Sequence, residues 1–294
     1  MHDVKIFKFF HDKGSFPEFT DDRTLVLCGA ALERHRDGVD MSRCLRDDNG
    51  LFDFSKENGQ YSELSGIFYI WDKIMEDYFN TDDIVAFEHY RRHIIDPETC
   101  KPVMKDSKVL QDISDIQFAK YSILEGDWTV YDFYKMCFHE YGDAIICCLR
   151  DYIMNVLEQP EDIIKETLAW NLLTRGNIMA GKVSCINQYL GSLYNMLCYC
   201  RERIRPDRED SRIWGYIAEL WPWIYYITNA TLDIRPHFTL DYCVIDPDPE
   251  KNWYSMSAPK TYKPVSNDKL EATFKTIMEL KQPESTKEDT ICIK

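Results

Sequence analysis

The sequence predicts an α/β fold, a sheet flanked by helices with a helical carboxyl-terminal part. Three observations predict it. Leu64, Ile67, Phe68, Trp71, Ile74, Met75 and Tyr78 recur at helical spacing, the stripe of a helix with one face in a core. Ile84-Val85-Ala86-Phe87 is a short continuous apolar run, as expected of a parallel strand covered on both faces. Glu88-His89-Tyr90-Arg91-Arg92 follows it, at the strand end where open α/β sheets bind ligands.

The remaining elements follow in order. Val4–Phe10 reads as a first strand ending in the polar turn His11-Asp12-Lys13-Gly14, and Thr24–Leu27 as a second ending at Cys28-Gly29-Ala30-Ala31. A glycine there lets the backbone approach something flat or charged. Residues 33–60 are polar and acidic, with turn residues at Asp47-Asp48-Asn49-Gly50, and read as a surface loop or an insertion over the cleft. Tyr61, Ser62 and Glu63 open the striped helix, and Asn80-Thr81-Asp82-Asp83 closes it. A short helix is expected around Ser107–Gln111 and a strand over Asp115–Ala119. Trp128–His139, Ala144–Leu157 and Glu161–Trp170 look helical, Leu172–Ala180 looks like strand, turn and strand, and Ser184–Ile204 is a strong helix. Arg205–Arg212 reads as a charged linker, Ile213–Tyr226 as helical up to Leu220, where Pro222 intervenes, and Leu240–Ile245 as a late strand. Residues 1–282 form one expected domain, and 283–294 a flexible polar tail.

Composition narrows the function. The chain has 294 residues and a net charge of −15, which disfavours nucleic acid as a partner. A basic cluster at the centre of so acidic a chain can instead attract a phosphorylated small ligand. Eighteen Tyr and seven Trp suit cores and also sugar or nucleotide clefts. Eleven cysteines without a CxxC pair read as reduced thiols of a cytoplasmic protein. Met1–Phe10 lacks the apolar core of a signal peptide, and Trp221–Ile227 is far short of the ~20 residues of a spanning helix. No GxSxG, HExxH, Walker A or GxGxxG motif occurs.

Several residues carry candidate chemistry. Arg91 and Arg92 could neutralise a diphosphate through bidentate contacts or pair with acidic loops. In an extended segment His89 and Arg91 share one side, and Tyr90 and Arg92 the other. Asn58, Tyr61 and Glu63 either face a nucleotide at a helix amino end or, for Asn58 and Ser62, cap that helix. Asp246-Pro247-Asp248 is a cation-binding pair or a proline turn. Glu219, in an aromatic run, is a general base with a raised pKa or the polar edge of a helix. His139 and Asp143, at i and i+4, could flank a cleft.

These residues carry a resemblance. His11-Asp12-Lys13, Gly29-Ala30-Ala31, Asn58-x-x-Tyr61-Ser62-Glu63-Leu64-Ser65-Gly66 with Tyr69 and Trp71, His89-Tyr90-Arg91-Arg92, Gly176-Asn177-Ile178-Met179 and Gly215-Tyr216-Ile217-Ala218-Glu219 are similar to a domain-of-unknown-function family of capsular and exopolysaccharide gene clusters, grouped with GT-A glycosyltransferases. The likeness runs over roughly residues 4–225. It departs at Asp72-Lys73, where the family has Lys-Asn, and at Glu219-Leu220-Trp221, where it has Glu-Arg-Leu.

The resemblance implies a GT-A-like (Rossmann-like) mixed sheet, with a donor-binding half at about 1–120 and an acceptor-binding, helical half at about 121–282. It implies transfer of a sugar from a nucleotide donor, UDP-galactose or UDP-xylose, to a glycan hydroxyl. The alternative is a non-catalytic nucleotide- or glycan-binding module of the same fold. Donor contacts are expected from His11, Gly29, Asn58, Tyr61, Glu63, His89, Tyr90, Arg91 and Arg92, acceptor contacts from His139, Asp143 and Asn177, and catalysis from Glu219 and Arg91. The fold's usual metal-binding Asp-x-Asp is replaced by Glu88-His89-Tyr90-Arg91, so no metal ligand is assigned. Arg91 or Arg92 then takes over part of the work of Mn²⁺ or Mg²⁺, unless Glu88 holds such an ion. The sequence leaves the oligomeric state open.

Overall fold

The structure is a computed structural model that describes residues 2–244 and 254–255, except 18–19, 121, 124–128, 138, 170–171, 175, 207–208, 210 and 229–236. Among the described residues the strands are, in chain order, β1 (Val4–Phe10), β2 (Arg23–Leu27), β3 (Leu45–Arg46), β4 (Ile84–His89), β5 (Arg92–Ile94), β6 (Ile116–Ala119), β7 (Ser122–Ile123), β8 (Leu172–Leu173), β9 (Met179–Lys182), β10 (His237–Leu240), β11 (Tyr242–Val244) and β12 (Tyr254–Ser255). The helices are α1 (Glu33–Arg36), α2 (Asn58–Tyr61), α3 (Leu64–Met75), α4 (Lys108–Gln111), α5 (Val130–Cys137), α6 (Gly142–Asn155), α7 (Asp162–Ala169), α8 (Val183–Arg203) and α9 (Ile213–Thr228).

The main sheet is mixed, in the order β10-β6-β9-β4-β1-β2-β3. β1 lies between β2 and β4, parallel to both, with Phe10 opposite Leu27 and Phe9 opposite His89. The run read as a buried parallel strand is thus central, and all six residues of β4 are buried. β9 inserts antiparallel between β4 and β6, so a strand from beyond residue 120 completes the sheet begun before it. One face packs against α3, α6, α8 and α9, with Trp214, Trp221 and Tyr189 fully buried. Among the described residues no helix is long and apolar enough to cross a membrane.

Several expectations are corrected. Ten of the twelve residues of α3 are buried, more than one stripe requires. Gly66 explains the closeness, since a Cβ there would stand 2.6 Å from Cys28 Sγ and 2.7 Å from Phe9. The helix ends at Met75, and Tyr78 is 70% exposed. Residues 33–60 are no plain loop. They hold α1, β3 and α2, and buried Asp47 accepts from Gly29 N–H, Ala30 N–H and Ser55 Oγ. α9 passes through Pro222 to Thr228, because the buried side chains of Trp221, Trp223, Ile224 and Tyr225 outweigh the lost hydrogen bond. Residues 172–180 do hold strand, turn and strand as expected, but the two strands do not pair with each other: β8 pairs with β7, and β9 joins the main sheet. Asp246 and Asp248 lie outside the described residues, as does the 283–294 tail.

Under the end of β4 sits a fully buried charge cluster. Glu88 pairs with Lys8 at 3.2 Å, and Arg23 donates to both its oxygens at 3.2 Å. Ile94 N–H donates to Oε1 at 2.9 Å, and Lys8 Nζ also lies against both ring nitrogens of His93. Burial alone would push the Glu88 carboxyl up. Lys8, the His93 hydrogen bond and Arg23 overcome it and hold the group well below the usual carboxylate range.

Removing one member of such a cluster leaves uncompensated buried charge. Glu88→Gln is expected to lower stability by about 3–5 kcal/mol at pH 7, measured by urea unfolding. A depressed folded pKa gives stability present above the unfolded value of 4.5 and lost as pH falls through the folded one. The deficit of the variant should therefore shrink below pH 4.5. Equal stability at pH 7 would contradict the assignment.

Candidate active site

The carboxyl ends of β1, β2 and β4 open into one cleft of about 530 Å³, the place where parallel topology leaves room for ligands. Phe9, Phe10, His11, Cys28 and His89 form its floor, and the turn Tyr90-Arg91 with Arg92 forms one side. Asn58, Gly59, Ser62 and Glu63 close a second side, and Arg212, Tyr216 and Glu219 a third.

His89-Tyr90-Arg91-Arg92 is not an extended segment. His89 pairs antiparallel with Arg92, so Tyr90 and Arg91 form a tight turn and all four residues face the cleft. The alternation expected of a strand does not apply. Arg91 lies over the Tyr90 ring at 4.9 Å, and Tyr90 meets His11 edge-on at 5.3 Å. His89 is buried and accepts Arg91 N–H on Nδ1 at 3.4 Å, so its proton sits on Nε2. Burial, then the charges of Arg92 and Arg91, hold its pKa well below the ordinary value. It is a neutral donor at pH 7.

The second side is held by unusual backbone. Ser62 has φ 54° and ψ −131°, and non-glycine residues in such conformations cluster at functional sites. Asn58 Nδ2 donates to Ser62 O at 2.6 Å and Ser65 Oγ at 3.0 Å, which ties α2 to the first turn of α3. Arg212 donates from its backbone to Gly59 O at 3.0 Å and from Nε to Ser62 Oγ at 2.9 Å. Its guanidinium lies over the Tyr216 ring at 5.3 Å.

Two buried carboxylates face these arginines. Glu63, 7% exposed, accepts from Asn177 Nδ2 at 3.0 Å. Glu219, 8% exposed, accepts from Gly176 N–H at 2.8 Å. Burial, then repulsion from Glu63, push Glu219 up to about 7, against the opposing pull of Arg92, the Gly176 amide and Arg212.

The structure thus brings together His11, Asn58, Glu63, His89, Tyr90, Arg91, Arg92 and Glu219 from four separate stretches of chain. Other expected residues lie elsewhere. The Tyr61 ring is 1% exposed and stacks on Phe54 in the core. Gly29 spends its amide on Asp47. Asn177 stands behind Glu63 rather than lining the cleft. Asp143 opens α6 and pairs with Lys135 at 3.1 Å, away from the cleft. The side chain of His139 lies outside the described ones. Sequence reasoning missed His35, Arg212 and Tyr216. Arg212 was hidden in a stretch read as linker, and only its place just before an aromatic helix hinted at a site.

Glu88 does not fit a cation site at the end of β4. Both its oxygens are taken by Lys8, Arg23 and the Ile94 amide. Among the described residues no group of three or more His, Cys, Asp or Glu is arranged to hold a metal ion.

A family model described as a domain of unknown function, DUF4422, matches residues 5–230. The chain belongs to the DUF4422 family. No curated protein matches it. A solved structure similar to this DUF4422 chain is the apo form of WbbM, a bifunctional glycosyltransferase, with a TM-score of 0.65 at 20% identity. The match covers 88% of this chain and 47% of WbbM, so the chain spans about half of that protein's length. The fold, a GT-A-like mixed sheet flanked by helices, is shared with a glycosyltransferase.

The raised pKa of Glu219 has a consequence for stability. Its folded value of about 7 exceeds the ordinary 4.5. Its contribution is fully present below pH 4.5 and is lost as pH rises through about 7. Glu219→Gln removes this dependence. Measured by urea unfolding, the variant should gain up to about 3 kcal/mol on wild type between pH 4.5 and pH 8. An unchanged difference across that range would contradict the assignment.

Proposed function

We propose that the chain is a glycosyltransferase that moves a sugar from a nucleotide donor, UDP-galactose or UDP-xylose, to a hydroxyl of a glycan acceptor in polysaccharide or glycoprotein-glycan synthesis. The observation that carries this reading is the cleft itself. At the carboxyl ends of the parallel strands, Arg91, Arg92 and Arg212 stand opposite the buried carboxylates Glu63 and Glu219. The fold shared with WbbM supports it.

Each group has a role in this reading. Arg91, Arg92 and Arg212 take the diphosphate oxygens, and the positive end of α3 adds to that field. Charge that builds on the leaving diphosphate is stabilised by these fixed cations, so transfer needs no divalent metal. His11 and Tyr90 shape the nucleotide side of the cleft, and neutral His89 donates from Nε2. Glu219, half ionised near pH 7, is the general base that takes the proton of the acceptor hydroxyl. Its twofold burden of burial and repulsion from Glu63 makes it more basic than an ordinary carboxylate. We place its action in the cytoplasm, where the chain's cysteines, which include no CxxC pair, stay reduced.

Incubation with a panel of UDP-sugars and a glycan acceptor, with UDP release as readout, tests the reading. Turnover should persist in excess chelator and rise with pH through about 7. Glu219→Gln should slow it about 10²–10⁴-fold. Complete loss in chelator would overturn the arginine assignment. UDP binding without turnover on any sugar would favour a non-catalytic module.

A further inference from the structure

Three residues between β8 and β9, Thr174, Gly176 and Asn177, touch residues of the cleft at four points. Thr174 Oγ1 donates to the backbone carbonyl of Glu219 at 2.6 Å. Gly176 N–H donates to Glu219 Oε1 at 2.8 Å, and Asn177 Nδ2 to Glu63 Oε1 at 3.0 Å. The Arg92 guanidinium packs on Gly176, in space that any side chain at that position would need. Glu63 comes from the start of α3 and Glu219 from α9, yet both carboxylates hang on adjacent residues of one turn.

The turn carries costs that packing alone does not explain. Gly176 and Asn177 both have left-handed backbone, with φ 81° and 47°. Asn177 Oδ1 is buried and has no hydrogen-bond partner among the described residues. The orientation of the amide is nonetheless determined, because a carboxylate oxygen needs the N–H face. The unsatisfied oxygen is the consequence of serving Glu63. Orphaned buried acceptors and strained backbone persist where the surroundings over-determine them, typically at functional sites.

We infer that Asn177 is a positioning residue that acts through Glu63, and that its turn sets the spacing of the two cleft carboxylates about the bound sugar. The inference rests on the transferase reading. Displacement of a reacting group by about 1 Å can cost on the order of 10²-fold in rate, so a shared anchor for two such groups matters to turnover more than to binding.

The test is a double-mutant cycle on the full chain, with kcat and KM measured on the best nucleotide sugar. Asn177→Ala should lower kcat at least about tenfold with KM within about threefold. Asn177→Ala combined with Glu63→Gln should be no slower than Glu63→Gln alone. Asn177→Asp should be slower than Asn177→Ala at pH 8, and its rate relative to Asn177→Ala should rise as pH falls, because a protonated carboxyl at 177 can again donate to Glu63. Losses that multiply in the double variant would overturn the inference and leave the transferase reading standing. If Asn177→Ala does not fold, wild-type kcat for Asn177→Asp at pH 8 overturns it equally. No turnover by the unaltered chain on any nucleotide sugar overturns both.

Discussion

The pairing of Glu88 with Lys8 and Arg23 is the constraint on which the cleft depends. These three side chains come from β4, β1 and β2, the three parallel strands whose ends form the cleft floor. All are fully buried, so each charge must be met inside the protein or not at all. The cluster locks the strands in register directly beneath His89. It also consumes the one carboxylate at the end of β4. The positive charge that faces the cleft there belongs to the neighbouring turn, with Arg91 and Arg92 both lining the cleft.

Above that floor, the cleft is assembled by residues that hold one another in uncommon conformations. Ser62, Gly176, Asn177 and Arg212 all have positive φ. Ser62 receives Arg212, Gly176 receives Arg92 and Glu219, and Asn177 receives Glu63. The two carboxylates repel each other in a buried site, and the charges of Arg92 and Arg212 oppose the resulting rise in the Glu219 pKa. That balance leaves Glu219 with a pKa of about 7, suited to proton transfer near neutrality. The same balance lowers the stability of the protein as pH rises, a trade familiar at sites that must be polar and buried at once.

Much of this was legible in the residues. The stripe of α3 and the apolar run of β4 located the central helix and strand, because burial on one or both faces writes itself into spacing. His89–Arg92 and Glu63 stood out because charge at a strand end or a helix start has few other uses. Glu219 stood out because a carboxylate inside Tyr216–Trp221 conflicts with its neighbours. What was hidden depends on contacts between distant segments. Nothing local in Lys8 or Arg23 reveals that they neutralise Glu88. Arg212 is one charge in a charged stretch until its backbone meets Gly59. Tyr61 was placed in the cleft by its motif, yet the turn of α2 carries its ring into the core against Phe54. Pro222 argued for a helix end, and packing by the surrounding tryptophans overrode it.

Calorimetric binding of UDP and of uridine in excess chelator shows whether fixed arginines, rather than a metal held by carboxylates, receive the diphosphate. UDP should bind at least about tenfold more tightly than uridine, since each charge-assisted hydrogen bond to phosphate is worth about 1.5–3 kcal/mol. Arg92→Ala should remove most of that difference, and added salt should weaken UDP more than uridine. Equal affinity for UDP and uridine, or a preference for UDP that vanishes in chelator, would contradict the arginine assignment.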